Sequence, residues 1–126
     1  MMHPSNAYDA AVVAVATACR TGDSLTVSTW LAASVVAVVD GEGERTGRGS
    51  VSTLLVQHAT TDHQSSVSVE WVNGQSGLAY RRGGRVVGIA AISVEHGLIE
   101  RVWLVLSPDK LHHWTLGPFD LDQQED

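Results

Sequence analysis

The stretch SVSVEWVNGQSGLAYRRGGRVVGIAAISVEHGLIERVWLVL, Ser66 to Leu106, carries the reading of the fold. At its start Val67, Val69 and Trp71 alternate with Ser66, Ser68 and Glu70, the two-residue period of a half-buried strand. Asn73-Gly74 follows, a dipeptide suited to the positive φ angles of a two-residue hairpin turn. Gly77 to Arg82 reads as the next strand, Gly83-Gly84 as a second tight turn, and Val86 to Val94 as a third strand ended by Glu95-His96-Gly97. Leu98 to Leu106 makes the fourth, with Ile99, Arg101, Trp103 and Val105 opposed to Leu98, Glu100, Val102 and Leu104. The spacing predicts a four-strand antiparallel meander, which must bury one face.

The residues upstream supply the cover. Ser5 or Asn6 can cap a first helix with Asp9 in its first turn. That helix runs through Ala- and Val-rich sequence to Arg20 and stops at Thr21-Gly22-Asp23, where Gly22 suits a left-handed cap. Asp23 or Ser24 can cap a short second helix through Trp30 and Leu31. Val35 to Val39 is a β-branched run and reads as a buried strand, closed by a turn from Asp40 to Glu44. Gly49 to His58 reads as a third helix with Val51, Leu54 and Leu55 on one face. Beyond the meander, Pro108 stops the last strand and Pro108-Asp109-Lys110-Leu111 begins a terminal turn or short helix; the segment after Trp114 is acidic and expected to be loose. Helices followed by a run of strands indicate an α+β domain.

Composition narrows the function. A chain of 126 residues fits one domain, and 44% hydrophobic residues exclude a disordered one. A net charge of -6 argues against nucleic acid as a partner, because phosphate neutralisation needs clustered Lys and Arg. Arg81, Arg82 and Arg85 gather around one Gly-Gly turn, either as a solvated hairpin tip or as an anion-contacting patch. Cys19 is the only cysteine, so an intramolecular disulfide is impossible, which fits a cytoplasmic location. The longest apolar stretch, Ala10 to Cys19, falls short of the roughly 18–20 residues of a membrane span. The preceding MMHPSNAYD has no Lys or Arg, so the charged start of a signal peptide is missing and no membrane partner is expected.

Several motifs in this order resemble the SnoaL-like branch of the nuclear-transport-factor-2-like superfamily, and in particular the SnoaL-like domain at the C-terminus of one group of extracytoplasmic-function sigma factors. They are the Thr21-Gly22-Asp23 break, Asp40-Gly41-Glu42-Gly43-Glu44, Val72-Asn73-Gly74, Arg82-Gly83-Gly84-Arg85-Val86-Val87, Ile99-Glu100-Arg101-Val102-Trp103, and Ser107-Pro108-Asp109-Lys110-Leu111. The match runs from Gly22 to Leu111; Glu44 stands where those domains have Lys, and Ser107 where they have Asn. The resemblance implies a cone-shaped, curved antiparallel sheet with three N-terminal helices, a cystatin-like roll, over residues 4–114 with an acidic tail at 115–126. It further implies a stand-alone relative of a regulatory domain, a homodimer, and a small hydrophobic ligand.

Ketosteroid-isomerase-like members of that superfamily use a carboxylate base, a helix-borne Tyr and a protonated Asp. The resemblance implies Asp40 at the base position, but Val15 and Ala90 fall near the other two, and both are apolar. A base without oxyanion donors lacks what is usually the largest catalytic contribution. The expectation is therefore a non-catalytic module, with an isomerase, dehydratase or cyclase using Asp40, and His58 as a second group, as the alternative. Asp40 also has a turn-forming reading, because Asp before Gly accepts nearby backbone N–H groups. Trp30, Trp71, Tyr80 and Trp103 are candidate pocket-lining residues, or else core or a sheet-to-sheet dimer face. Arg101 shares strand parity with Trp103, so an exposed or interfacial sheet face suits the pair. No His, Cys or carboxylate spacing points to a metal, and no cofactor is expected.

Overall fold

The computed structural model describes residues 7–72, 74–106 and 116–118. In chain order these form α1 (Ala7–Arg20), α2 (Ser24–Thr29), β1 (Leu31–Val39), β2 (Gly43–Thr46), α3 (Arg48–Ala59), β3 (Ser65–Val72), β4 (Gln75–Arg82), β5 (Arg85–Glu95), β6 (Leu98–Val105) and β7 (Leu116–Pro118).

Local chemistry sets the helix ends. Asp23 N–H donates to Ala18 O at 2.9 Å and Gly22 N–H to Cys19 O at 3.1 Å. With Gly22 at φ 72° this pair closes α1 in a Schellman cap. Asp23 then begins α2, its carboxylate accepting from Thr26 N at 3.1 Å and from Thr26 Oγ1 at 2.6 Å. Along α1 the buried residues are Ala11, Val12, Val15, Ala16, Ala18 and Cys19, one stripe of a 3.6-residue period. The small side chains let α1 lie close against β3, β4 and β5.

The strand order is β2-β1-β6-β5-β4-β3-β7. The meander β3 to β6 is antiparallel throughout, as its turns require. Arg82 pairs with Arg85 across Gly83 and Gly84, at φ 60° and 83°, and Glu95 pairs with Leu98 across His96 and Gly97, at φ 53° and 79°. Both are two-residue loops whose left-handed residues match the twist of the strands. Register puts Val67, Leu78, Tyr80, Ala90, Ile92, Val102, Leu104, Ala37 and Val39 on the face toward the helices, where all are buried. Arg101 and Trp103 point to the opposite face and are exposed.

The structure corrects the expected cone-shaped antiparallel roll with three N-terminal helices. Only α1 and α2 precede the sheet; α3 lies between β2 and β3. The sheet is open rather than closed, with β2 at one edge and β7 at the other, and it is mixed, because β1 runs parallel to β6 through Val36↔Arg101 to Val39↔Leu104. A parallel pair needs a long connection between its strands, and β2, α3 and the first three strands of the meander provide it. The expected turn from Asp40 to Glu44 gives up its last two residues to β2, which pairs with β1 from Val36↔Thr46 to Val39↔Gly43. The first strand also begins earlier than expected, at Leu31. Leu116–Pro118, within the stretch expected to be loose, pairs with β3. The expected turn or short helix at Pro108-Asp109-Lys110-Leu111 lies outside the described residues, as does Asn73.

Candidate functional site

A cleft of about 350 Å³ opens where the start of α1 meets the β3–β4 hairpin, lined by Tyr8, Asp9, Trp71, Gly74, Gln75 and Ser76. Strand parity explains its polar floor. Ser76 shares a face with Leu78 and Tyr80, so its side chain points toward α1, and it is only 2% exposed. A buried hydroxyl needs a partner, and Ser76 Oγ donates to Asp9 Oδ1 at 2.8 Å. One residue earlier on the helix, the Tyr8 hydroxyl lies within hydrogen-bonding distance of Ser76 O at 3.0 Å, Gln75 Oε1 at 3.3 Å and Ile92 O. A phenol has one proton to donate, so these three acceptors share it. Burial, and then the neighbouring Asp9 carboxylate, push the Tyr8 pKa up to about 12. Tyr8 is therefore a neutral donor at any ordinary pH, and the two side chains together fasten the start of α1 to the start of β4 and to Ile92 of β5.

Between helices and sheet the described residues are apolar and buried. Val12, Val15, Cys19, Val27, Leu55, Leu78, Tyr80, Ile92, Ile99, Val102 and Leu104 belong to one buried cluster there. Tyr80 is wholly buried there, donating to Leu55 O at 3.0 Å. No buried side-chain nitrogen or oxygen of the described residues lacks a hydrogen-bond partner. Val15 and Ala90, at the positions where an oxyanion-stabilising pair was sought, are fully buried apolar members of the same cluster.

The residues singled out from sequence are scattered over this framework. Asp40 is half-buried just after β1, where its backbone N–H donates to Leu104 O at 2.9 Å, and Gly41 and Gly43 around it have φ of 83° and 106°. His58 is half-buried on α3, its ring meeting that of Tyr80 edge-on at 6.0 Å and 68°. Trp30 is half-buried against the core at the end of α2, and Trp103 is 49% exposed on the far sheet face beside Arg101. Of the four aromatic candidates Trp71 alone lines the cleft, where Gly74, at φ 91°, turns the hairpin. Tyr8, Asp9, Gln75 and Ser76 escaped the sequence reading. No group of three or more His, Cys, Asp or Glu among the described residues could hold a metal ion. No helix of the described residues is long and apolar enough to cross a membrane.

His58 supplies a pH prediction. Burial lowers its pKa below the ordinary 6.5; Glu42 opposes that shift and Arg45 adds to it. The fold thus favours the neutral ring, and the unfolded chain takes up the proton first as pH falls. This contribution is complete above the ordinary value and is lost as pH drops toward the lowered one. Urea unfolding midpoints are expected to fall between about pH 7 and about pH 5 by more in the parent protein than in His58→Leu. Parallel pH profiles would contradict the assignment.

No protein-family model matches the chain, and no curated protein sequence matches it. Solved structures do. An NTF-2 like protein from Burkholderia xenovorans matches with a TM-score of 0.61 at 15% identity, over 90% of this chain and 86% of its own. A putative ketosteroid isomerase from Kribbella flavida matches with a TM-score of 0.61 at 15% identity, over 93% of this chain and 94% of its own. The extracytoplasmic function sigma factor SigJ of Mycobacterium tuberculosis matches with a TM-score of 0.62 at 24% identity, over 85% of this chain and 44% of its own. The open mixed sheet, its helical cover and these likenesses together give the chain the NTF2-like, or cystatin-like, fold.

Proposed function

We propose that this chain is a non-catalytic small-ligand-binding module of regulatory type, with its ligand in the cleft between α1 and the β3–β4 hairpin. One observation carries the reading: the cleft of about 350 Å³ pairs two aromatic rings, Tyr8 and Trp71, with polar groups. That volume is at the small end of the roughly 300–1,000 Å³ range of small-molecule sites, whose usual composition is apolar surface with a few placed polar groups. A regulatory role draws on the likeness to SigJ, of which this chain covers less than half. A homodimer through the sheet face bearing Trp103 and Arg101 belongs to the same reading, supported by the 49% exposure of that indole.

The test is ligand-observed NMR with a panel of small amphipathic compounds, repeated on two variants. Trp71→Leu is expected to weaken the hits by about tenfold or more, as loss of a central aromatic contact does. Asp40→Asn is expected to leave them unchanged. Binding lost with Asp40→Asn and kept with Trp71→Leu would move the site to the end of β1 and revive the isomerase, dehydratase or cyclase alternative.

A further inference from the structure

We propose that the open edge of β3 is the docking site of this chain's own C-terminal segment, with Phe119 to Asp122 continuing the line of β7 along Val69 to Ser66. β3 pairs with β4 over its whole length, from Ser65↔Arg82 to Val72↔Gln75, but with β7 only from Glu70↔Pro118 to Val72↔Leu116. Among the described residues no strand faces Ser65 to Val69 on the β7 side. Hydrogen-bond parity shows what that edge offers. Gly83 N–H donates to Gln64 O at 3.1 Å, so the even-numbered residues of this run turn their backbone groups toward β4. Val67 and Val69 therefore turn theirs to the open edge, where Arg20 Nε donates to Val67 O at 3.0 Å. A carbonyl oxygen has a second lone pair, so Val67 can still accept a strand N–H.

The residues after Pro118 read FDLDQQED. The register of β7 carried forward sets Phe119 opposite Val69, Asp120 opposite Ser68, Leu121 opposite Val67 and Asp122 opposite Ser66. The two-residue periods coincide, apolar against apolar and acid against serine. Val67 is buried and Val69 packs on the core cluster, so Phe119 and Leu121 fall on the face toward the helices. α1 lies along β3, because Asp9 bonds Ser76 beside Trp71 at one end and Arg20 bonds Val67 at the other. Val13, on the same side of α1 as Arg20, is 36% exposed between them and gives Phe119 an apolar neighbour. Pro118 is no obstacle. It stands opposite Glu70, an even-numbered position, where the N–H of the added strand points away from β3 and its loss costs no ladder bond. Charge agrees: the eight residues carry four carboxylates and no Lys or Arg, and they run toward Arg20. Seated there, the segment covers an edge with which another chain could pair.

The experiment is amide hydrogen exchange on the full chain, read by NMR. Protection is expected to alternate. Val67, Val69, Phe119 and Leu121 should exchange about tenfold or more slower than unstructured amides, while Asp120 and Asp122 exchange freely. Leu121→Pro removes the donor to Val67 O and is expected to return Val67 to fast exchange. Asp120→Pro, which has the parity of Pro118, is expected to leave the protection in place. Free exchange at all four positions, or equal effects of the two proline variants, overturns the proposal. Protection of Val67 and Val69 with Phe119 and Leu121 free gives the edge to another occupant. Protection that rises with protein concentration gives it to the segment of a second copy. Either of these also overturns it.

Discussion

Tyr80→Ala is expected to lower the stability of the fold by about 3–5 kcal/mol, the cost of removing a large buried aromatic ring. Tyr80 is fully buried at the meeting point of β3, β4, β5 and α3. Register sets it opposite Val67 on one side and Gly88 on the other. Gly88 has no side chain to compete for that space: a Cβ there would come within 2.7 Å of Leu106 Cδ2 and 3.6 Å of Tyr80 Cβ. The ring also meets His58 edge-on, and its hydroxyl reaches the backbone of α3 at Leu55. Tyr80→Phe separates the two contributions. It keeps the packing and loses one hydrogen bond, so about 1 kcal/mol is expected. Urea unfolding of both variants decides the matter: a shifted midpoint with an unchanged slope is a change in stability. Since domains of this kind hold only about 5–15 kcal/mol in total, the alanine variant is expected to be near the edge of folding. Equal effects of the two substitutions would mean that the hydroxyl, and not a filled interior, holds this part of the core.

Gly77→Ala is the second large effect, and its origin is the backbone itself. Gly77 lies in β4 between Ser76 and Leu78, where a Cβ would stand 2.7 Å from the Ala90 carbonyl oxygen and 2.9 Å from Val72 Cγ2. The first neighbour is backbone of the adjacent strand, so relief requires β4 and β5 to part. Overpacking of this kind costs about 1–3 kcal/mol. The consequence reaches function, because Gly77 directly follows Ser76, whose hydroxyl holds Asp9 at the cleft. The variant is therefore expected to lose both stability and ligand affinity. A control at Gly49, where an added Cβ meets nothing within 4 Å, should lose neither. An unchanged melting temperature for Gly77→Ala would contradict the close approach of these strands.

The meander was legible in the sequence because its signals are local. Asn73-Gly74 and Gly83-Gly84 are tight-turn signals, Glu95-His96-Gly97 marks the end of a strand, and the alternation around Val67, Val69 and Trp71 gives the strand period. The cap at Gly22 is local in the same way. β2 was not legible, for a physical reason: Gly43, Glu44, Arg45 and Thr46 are all exposed, and an edge strand needs only backbone pairing. Such a strand leaves no apolar periodicity to detect. The parallel pairing of β1 with β6 joins Val38 to Trp103 across about half of the chain, and no local pattern encodes that choice.

The site divides along the same line. Trp71 was singled out as an aromatic in an alternating strand. Asp9 had an ordinary explanation as an acidic residue in a helix's first turn, and Tyr8 drew no notice. Their partners lie 67 and 68 residues away in sequence. One signal was available. The parity that turns Leu78 and Tyr80 inward also turns Ser76 inward, and a buried hydroxyl calls for an acceptor on whatever covers it. The first helix offers Asp9 at that end.

The central claim is that ligand binds at the cleft beside α1 rather than among the buried apolar residues between helices and sheet. The most direct measurement is amide-resolved NMR of the labelled chain during titration with the compounds of the amphipathic panel that bind it. The expected result is a set of shifts concentrated at Tyr8, Asp9, Trp71, Gln75 and Ser76, with Val15, Leu55 and Tyr80 unmoved. Shifts centred on Asp40, His58 and the residues between α3 and β1, with the cleft silent, would contradict it.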